Sequence, residues 1–365
     1  MRPRIKSEHR PVRFGDGWVR IGGDVFGVAA EIRDPDGGVW ALLELLDGTR
    51  TVDQVVADLV QLFPGLLVAE IRADIDLLAD MGYVEDADEP ADTAVSARQR
   101  ERYGRGMLLN RWVDRTRRGS SWEFQSRMSQ ASVVVVGVGG VGCTAALALA
   151  LSGVGHVHCV DPDVVELSNL NRQILYTELD LGRLKVEVAV ERLRAANSDI
   201  AVTGEPTRVE GPVSLRALLT GCDVLVMCAD EPGIRIWSNQ VCAVTGTPWV
   251  YGVYHGPQAD IGLYRPGTGP CFECARAAEV DRKALRPQVA VWGRDQAGPL
   301  VHAANAVTAG VVGNLVAHAV MSLITGVPRL RVNCQHGYNL VTLDHAFVTV
   351  LDQPHPRCGT CGMAS

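Results

Sequence analysis

Hydrophobic and polar positions follow different periods in successive parts of the chain. Near the start, Trp18–Ile21 and Val25–Ile32 are short alternating or apolar runs parted by Gly22-Gly23-Asp24, which predicts a β-hairpin. Trp40–Leu46 then follows a helical pattern that Asp47-Gly48 stops. Thr51-Val-Asp-Gln54 has capping-box spacing, and Val52, Val55, Val56, Leu59 and Phe63 recur behind it on one helical face. Pro64-Gly65 breaks that helix, and Ile71, Ile75, Leu78 and Met81 mark the apolar face of a third. A hairpin and three short helices within residues 1–85 predict a small α+β module of winged-helix-like plan. It is short enough to lean on a larger domain for stability.

The pattern then changes. Residues 86–97, within Glu85-Asp-Ala-Asp-Glu-Pro-Ala-Asp-Thr-Ala-Val-Ser-Ala97, are acidic, contain Pro and Ala and lack large apolar side chains, so they predict a linker. From residue 98 to 365 apolar runs alternate with helical ones. Ser132–Val136 is strand-like, a glycine-rich turn and a helix to about Ser152 follow, and His156–Val160 is strand-like again. A helix near Arg183–Ala196 leads to another apolar run, Val224–Cys228. Such alternation predicts an α/β domain with a doubly wound, mostly parallel, Rossmann-like sheet.

Composition narrows the function classes. Of 365 residues 47% are hydrophobic and 21% charged, so a folded chain of two or three domains is expected rather than a disordered one. Lys and Arg number 35 against 42 Asp and Glu, without a long run of one sign, which argues against nucleic-acid and polybasic membrane partners. Apolar stretches such as Ala145–Leu151 fall well short of the roughly 20 residues of a membrane helix. The basic start, Met1 to Phe14, has no apolar core, so no secretory signal is read and a cytoplasmic protein is expected.

Four of the ten cysteines form two C-x-x-C pairs, Cys271/Cys274 and Cys358/Cys361. Without a secretory context, this spacing points to one four-thiolate zinc site, which leaves no open coordination position and is therefore structural. Cys143, Cys159, Cys222, Cys228, Cys242 and Cys334 are scattered among apolar residues and are read as small buried side chains.

Gly137-Val-Gly139-Gly140-Val-Gly142 follows an apolar strand and opens a helix, where glycine lets the backbone approach a phosphate chain and the helix N-terminus supplies oriented N–H groups. Asp161 ends the next strand, where a carboxylate can accept ribose hydroxyls. Taken alone, this favours a dinucleotide over ATP. The residues beyond it alter that reading: Asp163, Glu166, Asn169, Arg172, Gln173, then Gly182-Arg-Leu-Lys185, then Cys228-Ala-Asp230.

This ordered set resembles the adenylyltransferase fold of ThiF, MoeB and the ubiquitin-activating enzymes, over about Arg102 to the C-terminus, with both cysteine pairs where the bacterial members carry zinc. The resemblance implies binding of ATP and Mg2+ and formation of an acyl-adenylate with release of pyrophosphate. It assigns the ribose to Asp161, phosphate contacts to Asn169, Arg172 and Lys185, and magnesium to Asp230, with Gly137, Gly139, Gly140, Asp163 and Gln173 also in the nucleotide site. Arg102-Tyr-Gly-Arg105 resembles the family's N-terminal segment, which makes Arg105 an arginine finger reaching a neighbouring subunit and implies a homodimer. Arg235 also matches the family pattern, whereas His255 and His302 are read as packing or hydrogen-bonded histidines.

Two departures bear on function. Many relatives carry an acyl-accepting cysteine after the first zinc pair, but residues Lys283 to Gly298 contain none, so adenylation without an enzyme thioester is expected. The N-terminal module, with Asp47-Gly-Thr-Arg-Thr-Val-Asp-Gln54, resembles PqqD-like leader-peptide-binding domains, which implies capture of a peptide as an added strand. The reading that follows is adenylation of a carboxylate on a ribosomal precursor peptide. Its rivals are activation of a ubiquitin-like sulfur-carrier protein at its C-terminal glycine, a catalytically silent peptide-presenting scaffold, and, last, a dehydrogenase.

Overall fold

The computed structural model describes residues 1–89, 94–285 and 303–361. They divide into two compact units, Met1–Arg127 with Val327–Arg329, and Met128–Gly326 with Leu330–Ser365.

The first unit opens with strand β1 (Pro3–Ile5). Strands β2 (Val12–Arg13), β3 (Trp18–Ile21) and β4 (Ala30–Arg33) then form an antiparallel sheet with β3 in the centre and β4 at an edge. Helices α1 (Gly38–Leu45), α2 (Val52–Leu62) and α3 (Val68–Asp80) follow, then β5 (Val84–Asp86), which pairs antiparallel with β1. The capping box forms as read: Thr51 Oγ1 accepts from the Gln54 N–H at 3.3 Å and Gln54 Oε1 from the Thr51 N–H at 2.9 Å. Val19, Ile21, Leu42, Val55, Leu59, Ile71, Ile75 and Tyr83 make the core.

Three details differ from the sequence expectation. The second hairpin strand starts at Ala30 rather than Val25, because Gly22, Gly23 and Gly27 all take positive φ and hold the chain in turns, leaving Val25 and Phe26 exposed. The basic N-terminus is a strand whose Arg4 pairs with Glu85 at 2.8 Å, a partner some eighty positions away that no local pattern reveals. The segment expected as linker begins inside β5 and runs into the first residue of α4 (Ala97–Val113), which Ser96 caps together with Gln99. Helix α4, which carries Arg102 and Arg105, falls within the first unit. Its end is tied there by Arg111 to Glu8 and Glu85 (3.3 and 2.8 Å) and by the Trp112 carbonyl to His9 Nε2 (2.8 Å).

Helix α5 (Glu123–Gln130) precedes the sheet of the second unit: β6 (Ser132–Val136), α6 (Gly140–Leu151), β7 (His156–Val160), α7 (Lys185–Ala196), β8 (Ala201–Glu205), α8 (Pro212–Leu218), β9 (Val224–Met227), α9 (Ile234–Thr245), β10 (Trp249–His255), β11 (Gln258–Tyr264), α10 (Phe272–Ala284), α11 (Ala306–Thr325), β12 (Cys334–Asn339) and β13 (Asp344–Val350). The strand order is β13-β12-β11-β10-β9-β6-β7-β8. β8, β7, β6, β9 and β10 run parallel, as expected of a Rossmann-like sheet, and β11, β12 and β13 extend it antiparallel.

Period-two alternation along β10 gives the sheet two covered faces. Trp249 and Tyr251 enter a core with Leu215, Ile234, Cys242, Tyr264 and Phe272, whereas Gly252 faces Val312, Val316 and Val141. A Cβ on Gly252 would lie 2.5 Å from Val316, so α11 packs directly on the strand there. Helix α11 corrects the expectation about apolar length. Its twenty residues carry no Asp, Glu, Lys or Arg, as long and apolar as a membrane span, yet Ala309, Val312, Val316, Ala317, Ala319 and Val320 are buried against the protein. It is a core helix of the α/β unit.

Candidate nucleotide and metal sites

From β6 the chain passes to β7 on one side of the sheet and later returns to β9 on the other. The strand order therefore reverses at β6, and a crevice opens beyond the carboxyl ends of β6 and β9. A cavity of about 820 Å3 lies there. Ten residues expected from sequence line it: Gly137, Gly139, Gly140, Asp161, Asp163, Asn169, Arg172, Gln173, Lys185 and Asp230. Arg105 belongs to the other unit, on α4.

The glycine loop is shaped by close approach. Gly137 has φ +87°, and a side chain there would meet Ala229 N at 2.7 Å; a Cβ on Gly142 would fall 1.8 Å from the Gly137 carbonyl oxygen. The buried Asp161 fastens the loop, since its Oδ2 accepts the Val138 N–H at 2.8 Å and its Oδ1 the Asp163 N–H at 2.9 Å. Burial pushes the Asp161 carboxyl above its usual range, opposed by the Lys185 charge and by those two N–H donors. Lys185 opens α7, is buried, and donates to Asp163 Oδ2 at 3.0 Å.

Arg172 Nη1 donates to the Ser168 carbonyl (2.9 Å) and to Asn171 Oδ1 (3.0 Å), while its buried Nε and the buried Gln173 Oε1 have no partner among the described residues. A donor and an acceptor left unsatisfied on one cavity wall suit a polar ligand. Asn169 Oδ1 accepts the Glu166 N–H at 3.1 Å, so this side chain also shapes its own turn. Asp230 stands exposed three residues beyond β9, with no ion pair among the described residues.

Sequence reasoning missed Thr207, Arg208 and Glu231 in this wall. Arg208 pairs with Glu231 and lies 3.7 Å from Asp163. It follows β8, a strand too short and too polar to be read, although its carboxyl end opens onto the same crevice as those of β6 and β7. His255, read as a packing or hydrogen-bonded histidine, stands exposed on the cavity wall at the end of β10. His302 and most of the segment Lys283 to Gly298 lie outside the described residues.

The second cluster joins the four cysteines. Cys271, Cys274, Cys358 and Cys361 bring their sulfurs within 4.8 Å of one another. The Sγ–Sγ separations are 3.8 Å for Cys271–Cys274, 3.5 Å for Cys271–Cys358 and 3.6 Å for Cys274–Cys361. A zinc–thiolate bond of about 2.3 Å puts tetrahedral edges at roughly 3.8 Å, so the cluster is compatible with zinc. N–H groups of His355 and Asn239 point at Cys274 and Cys271 sulfur, at 3.3 and 3.4 Å, as supporting donors around a thiolate centre do. The other six cysteines are buried or half-buried, and Cys228 also lines the nucleotide cavity.

Fold and cleft together define a Rossmann-like nucleotide-binding protein. The model of the ThiF family matches residues 111–360, and the chain belongs to that family. It is 32% identical to the sulfur carrier protein adenylyltransferase of Thermus thermophilus over 66% of this chain and 85% of that one. It is 30% identical to the SAMP-activating enzyme E1 of Haloferax volcanii over 74% and 91% respectively. The match to adenylyltransferase and sulfurtransferase MOCS3 of Culex quinquefasciatus, 37% identical, covers 41% of this chain and 34% of that one. Escherichia coli MccB, solved with ATP, shares the fold over 99% of both chains with a TM-score of 0.74 at 22% identity. PaaA shares it over 94% of this chain and 98% of its own, with a TM-score of 0.66 at 22% identity. The protein is an ATP-binding adenylyltransferase.

Proposed function

We propose that this enzyme adenylates a carboxylate on a ribosomally made precursor peptide, with the first unit holding the leader. The observation that carries the reading is an apolar groove of about 550 Å3 in that unit, between the end of edge strand β4 and helices α1 to α3, floored by Leu42, Leu59, Leu62, Phe63 and Ile71. An unpaired strand edge beside apolar pockets is the arrangement that takes up an extended peptide by strand addition, as PqqD-like domains do. The likeness to MccB, which has been solved in complex with MccA, extends over the first unit as well, whereas the match to the Thermus enzyme covers 66% of the chain.

In the second unit a substrate carboxylate oxygen attacks the α-phosphorus of ATP. The phosphorus–oxygen bond to pyrophosphate breaks, and pyrophosphate leaves with the electron pair. Asn169, Arg172, Gln173 and Lys185 contact the phosphates, whose growing negative charge fixed cations stabilise. Asp161 takes the ribose while fastening the glycine loop. Asp230, an exposed carboxylate without a counter-ion among the described residues, suits magnesium, which would neutralise phosphate charge. Arg105 serves as an arginine finger in a homodimer, and the four cysteines hold a structural zinc.

No thioester follows. The sequence has no cysteine between Cys274 and Cys334. Cys334 is buried, which raises its thiol pKa, and burial pushes the Cys228 thiol up to about 12. The adenylate is captured by a nucleophile of the substrate or of a partner.

The second reading, activation of a sulfur-carrier protein, is favoured by the names of the Thermus and Haloferax relatives. ATP–pyrophosphate exchange separates the two, with Asp230→Ala as the blank and Leu62→Asp to spoil the groove. Exchange that needs a precursor peptide and falls in the groove variant supports peptide adenylation. Exchange driven by a small Gly-Gly-ended protein and indifferent to Leu62→Asp refutes it in favour of the carrier. Tight peptide binding without any exchange points to a scaffold.

A further inference from the structure

A second cavity of about 700 Å3 adjoins the nucleotide cavity and shares Asp230, Glu231, Arg235 and Val253 with it. Tyr251, Phe272 and Phe347 contribute its aromatic wall, and three guanidinium groups line it: Arg235 at the start of α9, and Arg276 and Arg282 on α10. The acidic residues of the cavity are largely engaged. Glu231 pairs with Arg208, Glu279 with Lys283 at 2.6 Å, and Asp260 accepts from Gln258 Nε2 at 2.9 Å. By contrast, Arg235, Arg276 and Arg282 have no ion pair among the described residues. Arg235 lies over the Tyr251 ring at 5.6 Å, an arrangement that holds the guanidinium in place and leaves its N–H edge for a ligand.

We infer that this cavity receives the acyl substrate's terminal residues and selects an acidic side chain among the last three, through Arg276 and Arg282. The inference rests on the adenylation reading for where the reacting carboxyl lies, next to Asp230. The anion preference follows from the arginines themselves, because a guanidinium matches a carboxylate in geometry as well as charge. Two positive groups at the rim also steer an acidic tail towards a cleft that already holds nucleotide.

The test uses the full-length protein and two synthetic decapeptides ending in Ala-Glu-Ala or Ala-Gln-Ala. Binding is read by anisotropy of the fluorescein-labelled peptides with a non-hydrolysable ATP analogue present, and catalysis by ATP–pyrophosphate exchange. The Glu peptide is expected to bind on the order of tenfold more tightly, the size of one charge-assisted bond. The double variant R276Q/R282Q should bring it to the level of the Gln peptide and leave the Gln peptide unchanged. Both side chains are exposed, so this variant should keep the native circular dichroism spectrum. Equal binding of the two peptides, or a Glu preference that survives in the variant, overturns the inference while any exchange leaves the adenylation reading standing. Glu-selective binding abolished by the variant, without exchange of either peptide, supports the arginine pocket and counts against peptide adenylation. Absence of both binding and exchange overturns both.

Discussion

Replacing Gly142 by alanine sets two effects of opposite sign against each other. Gly142 lies in the first turn of α6, where alanine favours helix by about 1 kcal/mol on propensity alone. Against that, the new Cβ would stand 1.8 Å from the Gly137 carbonyl oxygen and 2.9 Å from its carbonyl carbon. These are backbone atoms and cannot swing aside as a side-chain end would. Overpacking of this kind costs roughly 1–3 kcal/mol, with the upper part of that range expected where backbone must move. The net expectation is a loss of about 2 kcal/mol, or roughly 4–8 °C in the melting temperature of a unit of this size. ATP affinity should fall as well, because the displaced residue begins the phosphate loop and Asp161 is fastened to its Val138 N–H. Gly310→Ala is the control: it is also helical, with no atom within 4 Å of the added Cβ, and should raise stability by up to about 1 kcal/mol. Differential scanning calorimetry and titration with a fluorescent ATP analogue read the two effects. A G142A protein as stable as the parent and binding ATP equally well would refute the close-approach account of the loop.

Other consequences are simpler. Purified protein should contain one zinc per chain by mass spectrometry, and Cys358→Ser or a strong chelator should destabilise the second unit by more than G142A does, since structural zinc binding is folding free energy; unchanged melting after complete metal removal would oppose a structural role. His9 should make the first unit acid-sensitive. Its Nε2 faces the Trp112 carbonyl while its buried Nδ1 has no partner among the described residues, and burial lowers its folded pKa below the ordinary 6.5. The unfolded state therefore binds more protons between those two values, and stability rises with pH across that window and falls as pH drops below 6.5. Melting curves at pH 7.5 and 5 should differ more for the parent than for His9→Gln; equal differences would remove His9 as the cause.

Local pattern and spacing carried the parts of this protein that depend on neighbouring residues. The capping box at Thr51, the three helical faces of the first unit, and the β6–α6–β7 turn all follow from signals a few residues long. Within the nucleotide wall, Gly137 and Asp161 follow from the glycine motif and the strand end after it, whereas Asn169, Lys185 and Asp230 were legible only through the resemblance to the adenylyltransferases. The cysteine pairs were legible as one site for a different reason: four thiols in two short motifs leave few other roles. Tertiary structure decided what depends on long-range pairing. β1 meets β5 across the whole first module, β11 to β13 extend the sheet antiparallel through strands too mixed in polarity to be read, and Arg208 reaches the cavity from the unnoticed strand β8. It also decided the fate of Ala306–Thr325, whose apolarity fits either a membrane or a core, since only the strand packed against Val312 and Val316 distinguishes the two. The arginines of the second cavity are ordinary surface charges in sequence. They became a candidate recognition site only when α9 and α10 set them around an aromatic wall beside Asp230, because the value of a charge depends on what is left unpaired near it.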